Sequence, residues 1–96
     1  MKVFETKVDK EYDKDGFQMT FANGLTVSIV FGKYTYSDKG ETTAEVAVWD
    51  KDGYWYVLNE EDNHMSLFKI PSGNDVMGHC TADLTASIMD LARKYK

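Results

Sequence analysis

The chain has 96 residues, is 43% apolar, and carries sixteen acidic against eleven basic side chains for a net charge of −5. That length makes one domain, residues 1–96, whose single core buries roughly two-thirds of the surface that the unfolded chain exposes. The composition excludes a disordered chain, no run reaches the ~18 apolar residues of a membrane span, and no cluster of Lys and Arg marks a face for nucleic acid.

Met1-Lys2-Val3-Phe4-Glu5 lacks the apolar centre of a signal peptide. The one cysteine, Cys80, has no partner for an internal disulfide. A cytoplasmic protein is the expectation. An acidic surface suits a basic protein partner, which it also attracts from a distance; its plainer use is solubility.

Residues 4 to 31 read as a three-stranded antiparallel meander. Asp13-Lys14-Asp15-Gly16 is taken as a four-residue turn that sets Tyr12 opposite Phe17 and Val8 opposite Phe21. Ala22-Asn23-Gly24 is a three-residue turn with Gly24 left-handed, which sets Phe21 opposite Leu25, Met19 opposite Val27 and Phe17 opposite Ile29. Period two then gathers Phe4, Val8, Tyr12, Phe17, Met19, Phe21, Leu25, Val27, Ile29 and Phe31 on one face. Tyr34 to Tyr36 prolong the third strand past Gly32, with a bulge there, and Ser37 to Gly40 form a loop.

A second hairpin joins 43–49 to 54–58 across Asp50-Lys51-Asp52-Gly53. Opposing Trp49 to Tyr54 places Val46, Val48, Trp55 and Val57 on the core face, and Ala47, Trp49, Tyr54 and Tyr56 on the other. The two Asp-Lys-Asp-Gly segments echo one another, as recurring hairpin chemistry does. Residues 59–63 read as an acidic loop and Met65 to Ile70 as a short fifth strand ended by Pro71-Ser72-Gly73; residues 71–80 carry no assignable pattern.

The last segment is a helix. Thr81 is its N-cap and Asp83 lies in its first turn. Leu84, Ile88, Leu91, Ala92 and Tyr95 form an apolar stripe, and Arg93, Lys94 and Lys96 follow at the C-terminal end. It spans about Ala82 to Lys94, roughly 20 Å at 1.5 Å per residue. The fold class is α+β: an antiparallel meander of four to five strands with one C-terminal helix packed on its apolar face.

The sequence nominates no catalytic residue, metal or cofactor. The Asp-Lys-Asp-Gly turns lack the ligand pattern of a calcium loop, since neither alignment supplies the bidentate twelfth residue and both segments join strands. His79 and Cys80 are neighbours, which an extended chain points apart, so Cys80 reads as a small apolar residue. Two His and one Cys without tight spacing make only a weak zinc site, and no glycine-rich phosphate loop is present. The surface signal is aromatic. Tyr34, Tyr36, Trp49, Tyr54 and Tyr56 are expected on one surface with Lys33, beside acidic Glu60, Glu61 and Asp62. Tyr and Trp are the residues that interfaces favour, and such a patch is otherwise covered by a loop or by a second copy of the chain.

The run Phe21-Ala-Asn-Gly-Leu-Thr-Val-Ser-Ile-Val-Phe-Gly-Lys-Tyr-Thr-Tyr36, followed by Ala44-Glu-Val-Ala-Val-Trp-Asp50 and by Asp75-Val-Met-Gly78 before the helix, resembles small accessory proteins, mostly uncharacterised, that bacteriophages and prophages encode. The resemblance covers about two-thirds of the chain and carries no activity over to particular positions. It implies a source, and from it a class of role. The leading expectation is a non-enzymatic, anti-CRISPR-like inhibitor in the host cytoplasm, binding a host antiviral defence protein with a basic channel. An alternative is a sponge for a small cyclic nucleotide immune signal, with Tyr34 and Tyr36 stacking on bases and Lys33 meeting phosphate. The scarcity of Arg, present only at 93, counts against that site. A further alternative is a virion or assembly accessory protein.

Overall fold

The alternating and β-branched runs become seven strands, and the periodic tail becomes a helix. In chain order these are β1 (Phe4–Thr6), β2 (Lys14–Thr20), β3 (Thr26–Gly32), β4 (Thr43–Trp49), β5 (Trp55–Glu61), β6 (His64–Lys69), β7 (Met77–Thr81) and α1 (Ala82–Lys94). The structure is a computed structural model describing residues 2–96; Met1, the first residue of the segment expected to lack a signal peptide's apolar centre, lies outside them. All strand pairs are antiparallel. The sheet follows the order β1-β2-β3-β4-β5-β6, with β7 added to β4. β4 therefore shares one edge between two neighbours: Val48 and Trp49 pair with β5, and Thr43 to Val46 pair with β7.

β3 is the centre, and its residues are buried from Thr26 to Val30. Its register against β2 is the one the Asn-Gly turn predicts, with Phe17 opposite Ile29 and Met19 opposite Val27. That turn closes with Phe21 N–H to Leu25 C=O at 2.9 Å and Gly24 N–H to Phe21 C=O at 2.9 Å, Gly24 having φ 91°. The inner face of the sheet carries Val27, Ile29, Val46, Val48, Tyr56, Leu67 and Cys80, packed against Ile88 and Ala92 of α1. The helix runs over β3, β4, β6 and β7. Thr81 Oγ1 accepts the Leu84 N–H at 3.1 Å, as an N-cap does. Arg93 and Lys94 pair with Asp90 at 2.7 and 2.9 Å.

Asn23 ties turn and helix together. Its side-chain amide donates to the carbonyls of Ala92 at 2.7 Å and Tyr95 at 2.9 Å, which lie in and after the last helical turn, while its oxygen accepts the Leu25 N–H at 3.0 Å. Carbonyls at a helix end have no intrahelical donor, so a residue read as a turn former is also the C-terminal clasp of the lid.

Four expectations need correction. The first turn lies three residues earlier than Asp13–Gly16: Asp9 and Lys14 exchange backbone hydrogen bonds at 2.8 and 2.9 Å, and the Asp9 carboxylate accepts the Glu11 and Tyr12 amides. Phe4 consequently opposes Met19, not Val8 Phe21. Gly16 lies inside β2, where a Cβ would collide with the Ile29 carbonyl, so close strand approach and not a turn requires it. The third strand ends at Gly32, where Thr35 N–H and Oγ1 both bond to the Gly32 carbonyl. Residues 59–63 are not a loop, because β5 runs to Glu61 and a two-residue turn, Asp62-Asn63, leads directly into β6. Finally, the helix covers only part of the apolar face, leaving Phe4 (64%) and Phe17 (40%) exposed on β1 and β2.

Ile88 is fully buried between α1 and the sheet. Ile88→Ala is expected to cost roughly 2–5 kcal/mol in urea unfolding. Asn23→Ala, which removes the side-chain donor from the Tyr95 carbonyl and leaves the Ala92 carbonyl only the Tyr95 N–H, is expected to cost about 1–3 kcal/mol and to speed amide exchange in the last turn of α1 more than in the first.

Candidate functional site

The outer face of the sheet, opposite α1, carries an aromatic stripe. Its register is set at the second hairpin. Asp50 N–H donates to Tyr54 C=O at 2.9 Å and Gly53 N–H to Asp50 C=O at 3.1 Å, with Gly53 at φ 89°. This is the same three-residue turn that Ala22-Asn23-Gly24 makes. The Asp50 carboxylate reinforces it by accepting the Asp52 and Tyr54 amides at 2.9 and 3.0 Å. Trp49 therefore opposes Trp55, not Tyr54. One residue of slip turns β5 over. Trp55 and Val57, expected in the core, lie outside; Tyr56, expected outside, is 4% exposed in the core.

Trp49 and Trp55 lie with ring centroids 5.0 Å apart and planes tilted by 33°. Val57 on β5 and its neighbour Phe68 on β6 continue the stripe, and Phe68 is 45% exposed. Beside the tryptophans is a groove of about 350 Å³ floored by Ser28, Val30 and Ala47. Lys7 and Lys14 line it with Glu45, and the Lys7 ammonium sits 5.8 Å from the Trp49 ring centroid, within cation–π range. The small floor residues are buried although they face outward, because the large side chains around them stand higher.

The expected aromatic set does not come together as one surface. Trp49 is in the stripe. Tyr34 follows the far end of β3, packs edge-on against Tyr12 at 6.4 Å and has the Lys33 ammonium 5.5 Å from its ring. Tyr36 is exposed, its backbone held by Glu45 Oε2 and by the His79 N–H at 2.7 Å each. Tyr54 stands at the second turn under the Lys69 ammonium, 4.5 Å from its ring centroid. Glu60, Glu61 and Asp62 are exposed at the tip of the β5–β6 arm, Glu61 on the face of the stripe and Glu60 on the opposite one. Trp55, Val57, Phe68, Lys7 and Lys14 are the members that sequence reasoning missed. A signal for the two on β5 existed: a left-handed Gly53, like Gly24, makes the turn three residues long and places Trp55 and Val57 outward.

Tyr56 anchors a second, polar cluster at the helix end. Its hydroxyl donates to Asp50 Oδ2 at 2.8 Å and its ring meets Tyr95 edge-on at 5.0 Å. Lys69 Nζ lies 3.7 Å from the same carboxylate oxygen. Burial, then the hydrogen bond to Asp50 and its charge, push the Tyr56 phenol well above the usual tyrosine range. For Asp50, burial acts upward, but the hydrogen bonds from Tyr56, Tyr54 and Asp52 and the charge of Lys69 outweigh it and hold the carboxyl below its ordinary value. Cys80 is 1% exposed, and burial pushes its thiol up, against a smaller lowering by a backbone hydrogen bond. It is a core residue whose Sγ contacts the Met77 carbonyl at 3.3 Å. His79 is exposed, with φ 51°.

No protein-family model matches the chain, and neither a curated protein nor a solved structure matches it. Among the described residues no helix is long and apolar enough to cross a membrane.

A carboxyl held down in the folded chain contributes stability above the unfolded value of about 3.9 and loses it as pH falls through the lower folded value. Urea midpoints of the unaltered chain are therefore expected to drop below about pH 4, and Asp50→Asn is expected to flatten that part of the profile. An unchanged slope in the variant would assign the acid sensitivity to other carboxylates.

Proposed function

We propose that the chain is a non-enzymatic binding protein of the phage accessory type, which inhibits a host antiviral defence protein by docking with its outer sheet face. The observation that carries this reading is the stacked Trp49–Trp55 pair, continued by Val57 and Phe68 across three strands of a face otherwise built of small and polar residues. Stiff, amphipathic rings around a shallow groove are what hot spots of protein interfaces are made of. Trp49, Trp55 and Val57 are half-buried and Phe68 is exposed on this face, which α1, on the other side of the sheet, leaves uncovered. The acidic tip at Glu60, Glu61 and Asp62 extends the same arm and supports a partner with a basic surface, drawn in over a distance set by ionic strength.

A second reading is favoured by Lys7 and Lys14, which share the groove with the tryptophans. A ring that stacks on bases beside two ammonium groups suits a small cyclic nucleotide. The groups that support this sponge are Trp49, Trp55, Lys7 and Lys14, in place of the expected Tyr34, Tyr36 and Lys33.

The immobilised chain is expected to retain a specific protein from a bacterial lysate, identified by mass spectrometry. Trp49→Ala with Trp55→Ala is expected to weaken that complex by roughly 30-fold or more, about 2 kcal/mol, with circular dichroism unchanged. Unaltered affinity in a folded double variant overturns the assignment of the face. A thermal-shift screen with cyclic nucleotides separates the second reading, because a ligand at a hundred times its Kd adds about 2.7 kcal/mol.

A further inference from the structure

β6 ends the sheet path, and one of its edges meets no strand. The turn before it, Asp62-Asn63, has φ 49° and 63°, the pattern of a two-residue type I′ turn. Glu61 and His64 flank that turn and form the hydrogen-bonded pair next to it. Alternation then directs the backbone groups of His64, Ser66 and Phe68 toward β5, and Ile70 continues the series with its N–H on the Trp55 carbonyl at 2.9 Å. Met65, Leu67 and Lys69 point their N–H and C=O groups the other way, and no backbone group of the described residues takes them up. Next in that outward series is Pro71, which has no N–H to offer and so bounds the edge.

We propose that this edge pairs with the same edge of a second copy of the chain, forming a two-fold antiparallel β6–β6 dimer centred on Leu67. In that register Leu67 opposes Leu67 of the partner subunit, and Met65 opposes Lys69 of the partner subunit. Each opposed pair exchanges two hydrogen bonds, and all three outward residues of both copies are satisfied. Self-complementarity is what an isologous interface requires, and strand addition to a free edge is an established mode of protein recognition.

Side chains support the same register. Phe68, 45% exposed on the outer face, comes to lie against Ser66 of the partner subunit in the closely spaced pair between hydrogen-bonded rows. The antiparallel arrangement sends the acidic tips at Glu60, Glu61 and Asp62 to opposite ends, which separates like charges in a chain of net charge −5. It also sets Lys69 beside Met65 of the partner subunit. Met65 neighbours Glu60 within its own hairpin, on the same inner face, so Glu60 of the partner subunit lies two strand spacings from Lys69, whose ammonium stays 3.7 Å from its own Asp50.

Size exclusion with light scattering across a concentration series is expected to give twice the monomer mass at the upper end. Amide hydrogen exchange is expected to show Met65, Leu67 and Lys69 protected in the dimer and exchanging rapidly on dilution, while His64, Ser66 and Phe68 stay protected throughout. Lys69→Pro removes one outward donor and none that serves β5, and is expected to yield a folded monomer. A wild-type chain that stays monomeric at every concentration overturns the proposal, as does a dimer of unchanged strength in Lys69→Pro. Where Lys69→Pro fails to fold, the unaltered chain decides: a dimer in which the Met65 and Leu67 amides still exchange rapidly overturns the register.

Discussion

Two hydrogen bonds closing the Lys51-Asp52-Gly53 turn govern the character of both faces of the sheet. The Asp50–Tyr54 bond fixes a three-residue loop, and Gly53 supplies the left-handed residue that the loop needs. With that count, Tyr56 enters the core, where its hydroxyl reaches back to the Asp50 carboxylate that shaped the turn. The same count sends Trp55 outward onto Trp49. Core and aromatic outer face are therefore one decision. A loop of four residues would exchange them, placing tryptophan under the helix and tyrosine in solvent.

The consequences of misplacing a turn depend on parity. In the first hairpin the turn sits three residues away from Asp13–Gly16, so the register of β1 against β2 moves by an even number of residues. Phe4 stays on the face of Met19, and the apolar inner face remains legible despite the wrong partners. In the second hairpin the slip is a single residue, and every side chain of β5 changes side. The two Asp-Lys-Asp-Gly segments look alike in sequence yet differ in what their glycines do. Gly53 makes a turn, whereas Gly16 lets β2 approach β3. Composition cannot tell these apart, because glycine serves both needs. The helix was legible to its end residues, since its cap, period and terminal charges all agree.

What was not legible is the split edge of β4. Residues 71–80 show no alternation because β7 is short, bulged between Ala44 and Val46 of its partner, and bounded by a loop that hydrogen-bonds to it at His79. Its position follows from a tertiary fact: the Thr43–Val46 half of β4 lies free once β5 takes only Val48 and Trp49. β7 fills that half and delivers the chain directly to the helix N-cap at Thr81. The helix is thereby aimed along the sheet, and Asn23 at the far end receives it.

This split also makes the β5–β6 hairpin an arm. Beyond Trp55 and Tyr56 its strands pair only with each other, yet Leu58 and Leu67 remain packed in the core beneath α1. The arm is thus held by one face alone, which leaves its outer face, its acidic tip and its β6 edge open together. The outer face and the edge are orthogonal surfaces, one offering rings and the other backbone groups. An edge-paired dimer would leave the Trp49–Trp55 groove free and extend its stripe from Phe68 of one copy toward the other. Two copies of the proposed face on such a dimer would bind a symmetric or repetitive partner more tightly than either alone, by effective concentration and without any new contact.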